Sequence, residues 1–394
     1  MKKLTLHRRA ASSLRAGHPW VYREALVAAR ELPNTGESVQ LMVSGEENES
    51  YFGIYDANSP LAVRVWSGAK GEVNAAEFRR AASRAFAVRA WMFADGQTTA
   101  YRMLHGEGDR TPGFTIDRYA DVAVVRTDGD AARVRTPEFV EAVWPLLEQQ
   151  GLKSLLGRDP ERAGPPLLLK GDMPAARVTV AEHGVPFCVD LMDGQKTGAF
   201  LDQRENRRRV GGLVAKLAAR SGSVRMLNLF SYAGGFSVFA ARSGAITTSV
   251  DIAAKAHRTA EESFRAAGMN PGEHRFVAAD AFQFLQGALE RGERFDLIVC
   301  DPPSFAHNEK SVDRALAAYG KLHAACAAVL AEGGVLCAAS CSSHVGMARF
   351  LTTLGDEVLS RADLRAIASY GPPADHPTLP GFPEGAYLKF VALA

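Results

Sequence analysis

The run that decides the fold of the C-terminal half reads Leu227-Asn228-Leu229-Phe230-Ser231-Tyr232-Ala233-Gly234-Gly235-Phe236-Ser237. It predicts an apolar strand that enters a glycine-containing turn and continues into a helix. Two adjacent glycines allow the backbone to come close to a ligand, and the first turn of the helix offers unpaired N–H groups. We therefore expect a ligand site where this strand ends.

Strands alternate with helices on the C-terminal side of about residue 222. The predicted strands are Arg225–Phe230, Ile246–Asp251, His274–Ala279, Phe295–Cys300, Gly334–Ser340 and Ala386–Leu393. A helix is expected over 253–267, with Gly268 as its C-cap. This alternation is typical of an α/β fold with a parallel, doubly wound, Rossmann-like sheet.

Three acids follow three of these strands at the edge where such sheets bind ligands. Asp251 is placed to accept hydrogen bonds from a ribose diol, and Asp280 with Ala281 and Phe282 suits an adenine amine and ring. A nicotinamide cofactor fits less well, because the first turn lacks the third glycine of the G-x-G-x-x-G motif that seats a pyrophosphate. The sulfonium cation of S-adenosylmethionine fits the acidic ring that Asp301 completes. The alternative, that these are ordinary turn residues, stays open.

Two further segments carry residues suited to chemistry on a planar base. Cys300-Asp301-Pro302-Pro303-Ser304-Phe305 predicts a rigid loop that holds the Asp301 carboxylate against a flat ring. Ser340-Cys341-Ser342 ends the next strand, and a thiolate there can add to C6 of cytosine and so activate C5. A buried packing cysteine is the alternative for Cys341.

The other cysteines suggest neither a disulfide framework nor a metal site. The chain holds five cysteines, an odd number without a CxxC pair. We expect free thiols and no metal.

The N-terminal half predicts a small β-barrel and then a small α+β unit. The barrel strands are Val39–Val43, Tyr51–Tyr55 and Leu61–Trp66. A helix over 75–96, strands Gly113–Asp117 and Val122–Arg126, a helix over 137–149 and strands around 166–170 and 176–181 follow. The predicted domains are 1–70, 71–185 and 186–394.

Charge distribution indicates a nucleic-acid partner more than net charge does. The formal net charge is only +2, but residues 1–30 hold seven basic residues against one acid, Glu24. Arg8, Arg9 and Arg15 are the candidate phosphate contacts, and solvated terminal charge is the alternative. No run suits a signal peptide or a membrane span, so we expect a cytoplasmic protein.

The segment Gly194–Arg209 leads into the C-terminal half and mixes a glycine-bracketed turn, an aromatic residue, amides and arginines. It predicts either a solvated helix or a lid that contacts the cofactor and RNA phosphates. In the second case Arg207 and Arg208 are the predicted RNA contacts.

Several motifs together resemble one family, the RlmI/RlmO group of 23S ribosomal RNA cytosine-C5 methyltransferases. They are LNLFSYAGGFSV, DPPSF, SCS, KTGAFLDQRENRR and the closing Asp375-His376-Pro377 with Phe382-Pro383-Glu384-Gly385-Ala386-Tyr387-Leu388-Lys389. Upstream, Gly17–Tyr22 looks like the family's RNA-binding PUA domain, and Gly106–Tyr119 looks like its central α+β domain.

The resemblance implies a function, a cofactor and a partner. The chain would methylate C5 of a cytosine in 23S ribosomal RNA as a homodimer, with Cys341 as nucleophile and Asp301 beside it. The implied S-adenosylmethionine ligands are Phe200, Gln203, Arg204, Asn228, Phe230, Ser231, Asp251, Asp280, Ala281 and Asp301. One departure from related enzymes concerns product release. RNA methyltransferases outside this group that use a cysteine nucleophile often carry a second cysteine in the proline-containing loop, whereas the loop here reads Asp301-Pro302-Pro303-Ser304-Phe305.

Two alternative functions stay open. An RNA methyltransferase that acts on a base nitrogen, such as N7 or N2 of guanine, would need no cysteine. A non-catalytic RNA-binding assembly factor would not need the acidic ring or the two loops.

Overall fold

The computed structural model describes residues 1–159, 164–194, 196–306, 308–355, 358, 361 and 363–394, without the side chain of Glu47. Gln195, which belongs to the lead-in motif, lies outside the described residues. The chain divides into two compact units. The first unit comprises Met1–Val178, Asp190–Ala199 and Ala374–Gly385, and the second comprises Thr179–Val189, Phe200–Pro373 and Ala386–Ala394. The three-domain division predicted above stays a prediction.

The first unit begins with a five-stranded sheet and a short helix. The elements are β1 (Lys2–Leu6), α1 (Arg8–Arg15), β2 (Trp20–Tyr22), β3 (Ser38–Val43), β4 (Glu46–Tyr55) and β5 (Leu61–Val65), and the strand order is β1-β3-β4-β5-β2. The three predicted strands are confirmed as β3, β4 and β5. The sequence analysis missed β1, β2 and α1, and three of the seven basic residues of 1–30, namely Arg8, Arg9 and Arg15, lie on the unpredicted helix α1.

A second five-stranded sheet completes the first unit with two helices against it. The elements are α2 (Ala75–Met92), β6 (Ala100–His105), β7 (Phe114–Tyr119), β8 (Val122–Thr127), α3 (Asp130–Gln149), β9 (Ser154–Arg158) and β10 (Leu167–Gly171), in the strand order β10-β9-β8-β7-β6. Helix α2 begins where predicted because the Asn74 side chain accepts hydrogen bonds from the Ala76 and Glu77 amides. Helix α3 begins seven residues before the predicted start and contains both Pro137 and Pro145. The hairpin β11 (Arg177–Glu182) and β12 (Val185–Asp190) follows.

The second unit holds a seven-stranded sheet with helices on both faces. Its strands are β13 (Val224–Leu229), β14 (Ala245–Asp251), β15 (Arg275–Ala278), β16 (Phe295–Cys300), β17 (Leu330–Ser340), β18 (Ala366–Tyr370) and β19 (Lys389–Leu393). Its helices are α4 (Arg204–Ser221), α5 (Gly235–Arg242), α6 (Ala254–Ala266), α7 (Ala281–Glu290), α8 (Val312–Val329) and α9 (Met347–Thr352). The strand order is β15-β14-β13-β16-β17-β19-β18.

Alternate residues of the central strands enter different cores, which confirms the doubly wound prediction. Ile298 and Cys300 of β16 join a core with residues of α7 and α8, whereas Leu297 and Val299 join a core with residues of α4 and α5. The predicted parallel pairing is wrong for one strand, β19, which lies next to the edge strand β18. This strand runs antiparallel to both β17 and β18, because the chain turns back on itself between β18 and β19.

No helix within the described part of the chain is long and apolar enough to cross a membrane. The same residues contain no group of three or more His, Cys, Asp or Glu side chains suited to a metal ion.

Candidate functional site

Five neighbouring strands end at one edge of the seven-stranded sheet, and each end carries predicted site residues. Asp280 follows β15, Asp251 ends β14, the turn Phe230–Tyr232 follows β13, Asp301 follows β16 and Cys341 follows β17. Parallel pairing brings these carboxyl ends to the same edge. The order of strands and acids in the sequence was therefore sufficient to predict that these residues lie at one edge of the sheet.

The turn after β13 has an unusual backbone that Asp251 holds in place. Phe230 and Tyr232 have φ angles of +58° and +46°, in the left-handed region that non-glycine residues rarely adopt. The Tyr232 amide donates to Asp251 Oδ2 at 2.8 Å, and the Ala253 amide donates to Asp251 Oδ1 at 2.8 Å. Strain of this kind persists where surrounding contacts enforce it, and it clusters at ligand sites.

The two glycines of this turn face protein atoms. Gly234 has a φ of +75°, and a Cβ there would lie 2.8 Å from the Ala260 Cβ. A Cβ on Gly235 would lie 2.8 Å from the Arg207 Cδ. The glycines therefore let α5 approach α6 and the Arg207 side chain, and their predicted close approach to a ligand stays a prediction.

Two buried polar atoms beside this turn have no hydrogen-bond partner among the described residues. They are Asn228 Oδ1 and Ser231 Oγ, while Asn228 Nδ2 donates to Ser237 Oγ at 3.0 Å. Because buried polar atoms in proteins are nearly always paired, such atoms suit a polar ligand group. An S-adenosylmethionine amino group would satisfy both acceptors, and the acids nearby would favour its sulfonium charge.

Asp280 and Ala281 lie where helix α7 begins. The Asp280 carboxylate caps this helix by accepting from the Phe282 and Gln283 amides, and Ala281 is buried. Phe282, two residues after Asp280, and Ile252, directly after Asp251, expose 41% and 79% of their surface. Exposed apolar side chains beside acids suit the faces and the amine of adenine. Sequence reasoning missed Ile252, although an isoleucine directly after a strand-end acid was a usable signal.

A chain of amide hydrogen bonds leads from helix α4 to Asp301. Gln203 Nε2 donates to Asp301 Oδ2 at 3.0 Å, and Asn206 Nδ2 donates to Gln203 Oε1 at 2.7 Å. Arg209 donates in turn to Asn206 Oδ1 at 2.9 Å. Phe200 lies just before this helix, with its ring edge-on to Tyr232 at a centroid distance of 5.5 Å.

The arginines of this segment do not form one surface, which corrects the prediction for Arg207. Its guanidinium makes two hydrogen bonds to the fully buried Glu182, at 2.7 and 2.6 Å. It is therefore turned inward and not available to RNA phosphates. Arg204 is also buried, whereas Arg208 is 59% exposed and pairs with Glu205 at 3.2 Å.

The upstream part of the lead-in segment belongs to the first unit and is held there by strand residues. Thr197 Oγ1 donates to Asp117 Oδ2 at 2.5 Å, and the Ala199 amide donates to the Tyr119 hydroxyl at 3.1 Å. The beginning of the closing motif is anchored in the same unit, where Asp375 Oδ2 accepts from the Arg102 amide at 2.9 Å. These motif residues therefore make internal contacts in their unit.

Cys341 differs from its neighbours in exposure. It is partly exposed, whereas Cys300, Cys326 and Cys337 are buried. Burial raises the pKa of Cys337 to about 12 and also raises that of Cys300, so both remain thiols at neutral pH.

The residues on either side of Cys341 are tied to helix α8 and to the proline-containing loop. The Ser342 hydroxyl lies 2.9 Å from the Tyr319 hydroxyl and 2.9 Å from Ser304 Oγ. Ser340 Oγ donates to the Tyr319 hydroxyl at 3.0 Å. This network fixes the backbone on both sides of the cysteine.

Lys389 is a functional candidate that sequence reasoning missed as an individual residue. It is 1% exposed, and its Nζ donates to the Ser342 and Tyr387 carbonyl oxygens at 2.6 Å each. Its sequence signal was a single charge inside the apolar run of the last strand.

The predicted RNA-contacting arginines of the first unit are partly neutralised within that unit. Arg8 pairs with Glu46 at 3.0 Å, and Arg15 pairs with both Glu46 and Glu49. Arg9 is exposed and has no ion-pair partner among the described residues. Counting charges over residues 1–30 missed these acids because they come from β4.

Comparison with known proteins agrees with this geometry. A family model described as S-adenosylmethionine-dependent methyltransferase matches residues 157–377, and a model described as PUA-like domain matches residues 4–68. The chain is 37% identical to the "Ribosomal RNA large subunit methyltransferase" of Deinococcus radiodurans, over 99% of this chain and 97% of that protein. It is 32% identical to the "Ribosomal RNA large subunit methyltransferase I" of Photobacterium profundum, over 96% of each.

Among solved structures, the crystal structure of SMU.776 complexed with SAH superposes with a TM-score of 0.86 at 25% identity, covering 100% of both chains. The predicted fold class, with its Rossmann-like C-terminal part and PUA-like N-terminal domain, is thereby confirmed. The chain belongs to the family of S-adenosylmethionine-dependent methyltransferases that includes the ribosomal RNA large subunit methyltransferases, and S-adenosylmethionine is its cofactor.

Proposed function

We propose that this protein methylates C5 of a cytosine in large-subunit ribosomal RNA, with Cys341 as the nucleophile. The names of the relatives from Deinococcus radiodurans and Photobacterium profundum support the substrate class, since the match to each extends over nearly the whole chain. Neither name specifies the base or the atom. The choice of cytosine C5 therefore depends on the site itself.

The observation that carries the proposal is the position of Cys341. It is a partly exposed cysteine at the carboxyl end of β17, beside the strand that ends in Asp301-Pro302-Pro303. A methyltransferase that acts on a base nitrogen has no need for a thiol there. C5 of cytosine, by contrast, is a poor nucleophile until another group adds to C6.

The chemistry of the residues follows from that position. The Cys341 thiolate forms a bond to C6, and the electron pair of the C5–C6 bond moves toward C5. The Asp301 carboxylate accepts hydrogen bonds from the amino group of the base and from N3, which takes a proton from water as the negative charge spreads over the ring and returns it when the cysteine leaves. Bound S-adenosylmethionine supplies the electrophilic methyl group that C5 accepts. A base then removes the C5 proton, the C5–C6 double bond re-forms and the cysteine sulfur leaves.

The cofactor ligands remain those that the resemblance implied, with roles that fit their surroundings. Asp251 would bind the ribose diol, Asp280 and Ala281 the adenine, and Asn228 and Ser231 the methionine amine. Phe200, Gln203, Arg204 and Phe230 would complete the pocket. The target base must leave its stack to reach such a pocket, as in other enzymes that act on a base.

RNA affinity would come chiefly from basic side chains that face solvent. Arg8, Arg9, Arg15 and Arg208 remain in this proposal, and Arg207 does not. Binding through phosphates should weaken steeply as salt concentration rises. The homodimer implied by the resemblance stays a prediction, which light scattering of the purified protein would test.

The test is methyl transfer from labelled cofactor to large-subunit ribosomal RNA, with the product nucleoside identified by mass spectrometry. We expect 5-methylcytidine from the wild type and none from Cys341→Ala. Cys337→Ala is the matched control, because Cys337 is a buried cysteine on β17, the strand that Cys341 follows. A methylated purine, or full activity in Cys341→Ala, would move the protein to the nitrogen-methylating class.

A second experiment traps the covalent step. RNA that contains 5-fluorocytidine can accept the cysteine and the methyl group, but it has no C5 proton to lose. We expect a protein–RNA adduct that survives denaturing electrophoresis for the wild type and Cys337→Ala, and no adduct for Cys341→Ala. Failure of the protein to bind S-adenosylmethionine in calorimetry would instead favour a non-catalytic RNA-binding role.

A further inference from the structure

Lys389 is a buried cation whose hydrogen bonds go to uncharged groups. It is 1% exposed, and its Nζ donates to the carbonyl oxygens of Ser342 and Tyr387. Among the described residues no carboxylate forms an ion pair with it. A buried charge is costly unless an opposite charge compensates it, so a negative group nearby is expected.

The position of Lys389 in the sheet makes the sulfur of Cys341 the candidate for that negative group. Lys389 pairs with Ser340 across the antiparallel β17–β19 ladder, and its Nζ reaches the carbonyl of Ser342. Its contacts therefore lie on both sides of Cys341 in the chain. A second ammonium proton goes to Tyr387, which leaves the third without a hydrogen-bond acceptor among the described residues.

The pKa of the Lys389 ammonium group agrees with a position close to Cys341. Burial lowers the pKa of Lys389 to about 8, and the negative charge of the Cys341 thiolate acts in the opposite direction. Among the described residues, Tyr319 from α8 hydrogen-bonds to the serines on both sides of the cysteine, and Asp301 follows the neighbouring strand β16. Burial also raises the pKa of Tyr319, so its hydroxyl stays neutral and adds no charge to the site.

We propose that Lys389 is a positioning residue whose ammonium group holds the sulfur of Cys341 as a thiolate. The thiol proton leaves to water, Lys389 keeps its own proton, and the two groups form an ion pair. This inference rests on the proposed function, since it explains how the proposed nucleophile is ready at neutral pH. A thiolate, not a thiol, is the reactive species.

The first experiment measures the pH dependence of Cys341 alkylation by iodoacetamide in the native protein, without RNA. Peptide mass spectrometry assigns the reaction to Cys341 and, as internal comparison, to the partly exposed Cys188. We expect the pH midpoint for native Cys341 to lie at least about one unit below the midpoint of the urea-unfolded protein. One unit corresponds to a tenfold difference in thiolate fraction below both midpoints. Equal midpoints in the native and unfolded protein overturn the proposal.

The second experiment assigns the effect to Lys389. In Lys389→Met we expect the Cys341 midpoint to rise by about one unit or more, while the Cys188 midpoint stays unchanged. Lys389→Arg keeps the positive charge and should keep the low midpoint. A role in holding the strand ends alone would leave the midpoint unchanged in both variants, and that result overturns the proposal. If Lys389→Met does not fold, the comparison of native with unfolded wild type still decides.

The outcome for Lys389 is separable from the outcome for the proposed function. Alkylation uses neither RNA nor cofactor, so a low midpoint that depends on Lys389 stands even if the methylated nucleoside is not 5-methylcytidine. Conversely, formation of 5-methylcytidine with an unchanged midpoint in Lys389→Met supports the function and rejects the role of Lys389.

Discussion

The side-chain amide of Gln203 donates a hydrogen bond to the carboxylate of Asp301, with 3.0 Å between Nε2 and Oδ2. Gln203, which directly precedes helix α4, is itself fixed by Asn206 from the first turn of that helix. The start of α4 therefore determines the orientation of the carboxylate that follows β16. A hydrogen bond to a charged group contributes about 1.5–3 kcal/mol, enough to matter for catalysis if the carboxylate must be held in one orientation.

Replacing Gln203 should reduce turnover. In Gln203→Ala we expect kcat for RNA methylation to fall roughly tenfold or more, since about 1.4 kcal/mol corresponds to a factor of ten. In Gln203→Glu we expect a larger fall in kcat, because the new carboxylate and the Asp301 carboxylate would repel each other. Steady-state kinetics with ribosomal RNA measures both variants.

The matched control for Gln203 is Gln286→Ala on helix α7. Gln286 is exposed and donates to Glu290, away from the strand ends. We expect wild-type kinetics from it. Equal rates for Gln203→Ala and Gln286→Ala would mean that the bond to Asp301 does not position a catalytic group.

Sequence reasoning located the end of β16 because this strand is an apolar run that stops at a polar residue. The run Phe295–Cys300 before Asp301 matches β16 at both ends. Strands without such a run were missed, among them the three-residue β2 and the edge strand β18. Both depend on pairing with a neighbour that lies far away in the chain.

Sequence reasoning could not tell a buried charge from an exposed one. Arg207 and Arg208 are adjacent and chemically identical, yet one is 5% exposed overall and the other has a side chain that is 59% exposed. The difference comes from Glu182, which is 25 positions away and fully buried. A local pattern does not contain that partner.

The ion pair between Arg207 and Glu182 gives a stability prediction. Arg207→Met should lower the free energy of unfolding by about 3–5 kcal/mol, because it leaves the Glu182 carboxylate buried without compensation. The double variant Glu182→Leu/Arg207→Met should recover most of that loss. Urea unfolding followed by circular dichroism measures both.

Arg208→Met is the comparison for Arg207, because Arg208 pairs with Glu205 at the surface. Surface pairs contribute about 0–1 kcal/mol, so we expect little change in stability. Equal stability of the single and double Arg207 variants would contradict the view that burial of the Glu182 charge dominates this site.

The acids of β4 predict how RNA affinity can be raised. Glu46 forms ion pairs with both Arg8 and Arg15, and Glu49 forms an ion pair with Arg15. In Glu46→Gln/Glu49→Gln these cations become available to phosphates, so we expect tighter RNA binding and a steeper salt dependence. Each additional phosphate contact changes the log–log salt slope by about 0.7–0.9. Filter binding over a series of salt concentrations measures this slope.

A change of equal charge elsewhere in the same unit controls for net charge. Glu141→Gln/Glu148→Gln removes two exposed carboxylates from helix α3. It should raise affinity far less, because no predicted phosphate contact is released. Arg9→Glu should weaken binding in the otherwise unchanged protein. If Arg9→Glu binds RNA as the wild type does, α1 is not part of the RNA surface.

The burial of His323 leads us to expect a lower free energy of unfolding in mild acid. Burial lowers its pKa from 6.5 to about 4, although its contact with the Thr353 carbonyl acts the other way. Between these values the unfolded chain binds a proton that the folded chain does not, so stability falls as pH drops through 6.5 and levels off below about 4. For this one group, the expected loss between pH 7.5 and pH 5.5 is about 1 kcal/mol.

The variant His323→Gln isolates this contribution, because a glutamine can still donate to the Thr353 carbonyl but does not titrate. We expect its free energy of unfolding to change by about 1 kcal/mol less between pH 7.5 and 5.5 than that of the wild type. Burial also lowers the pKa of His105, His257 and His274, so part of the acid sensitivity should remain. The exposed His344→Gln is the matched control. An unchanged pH profile in His323→Gln would show that His323 takes up its proton equally in the folded and unfolded states.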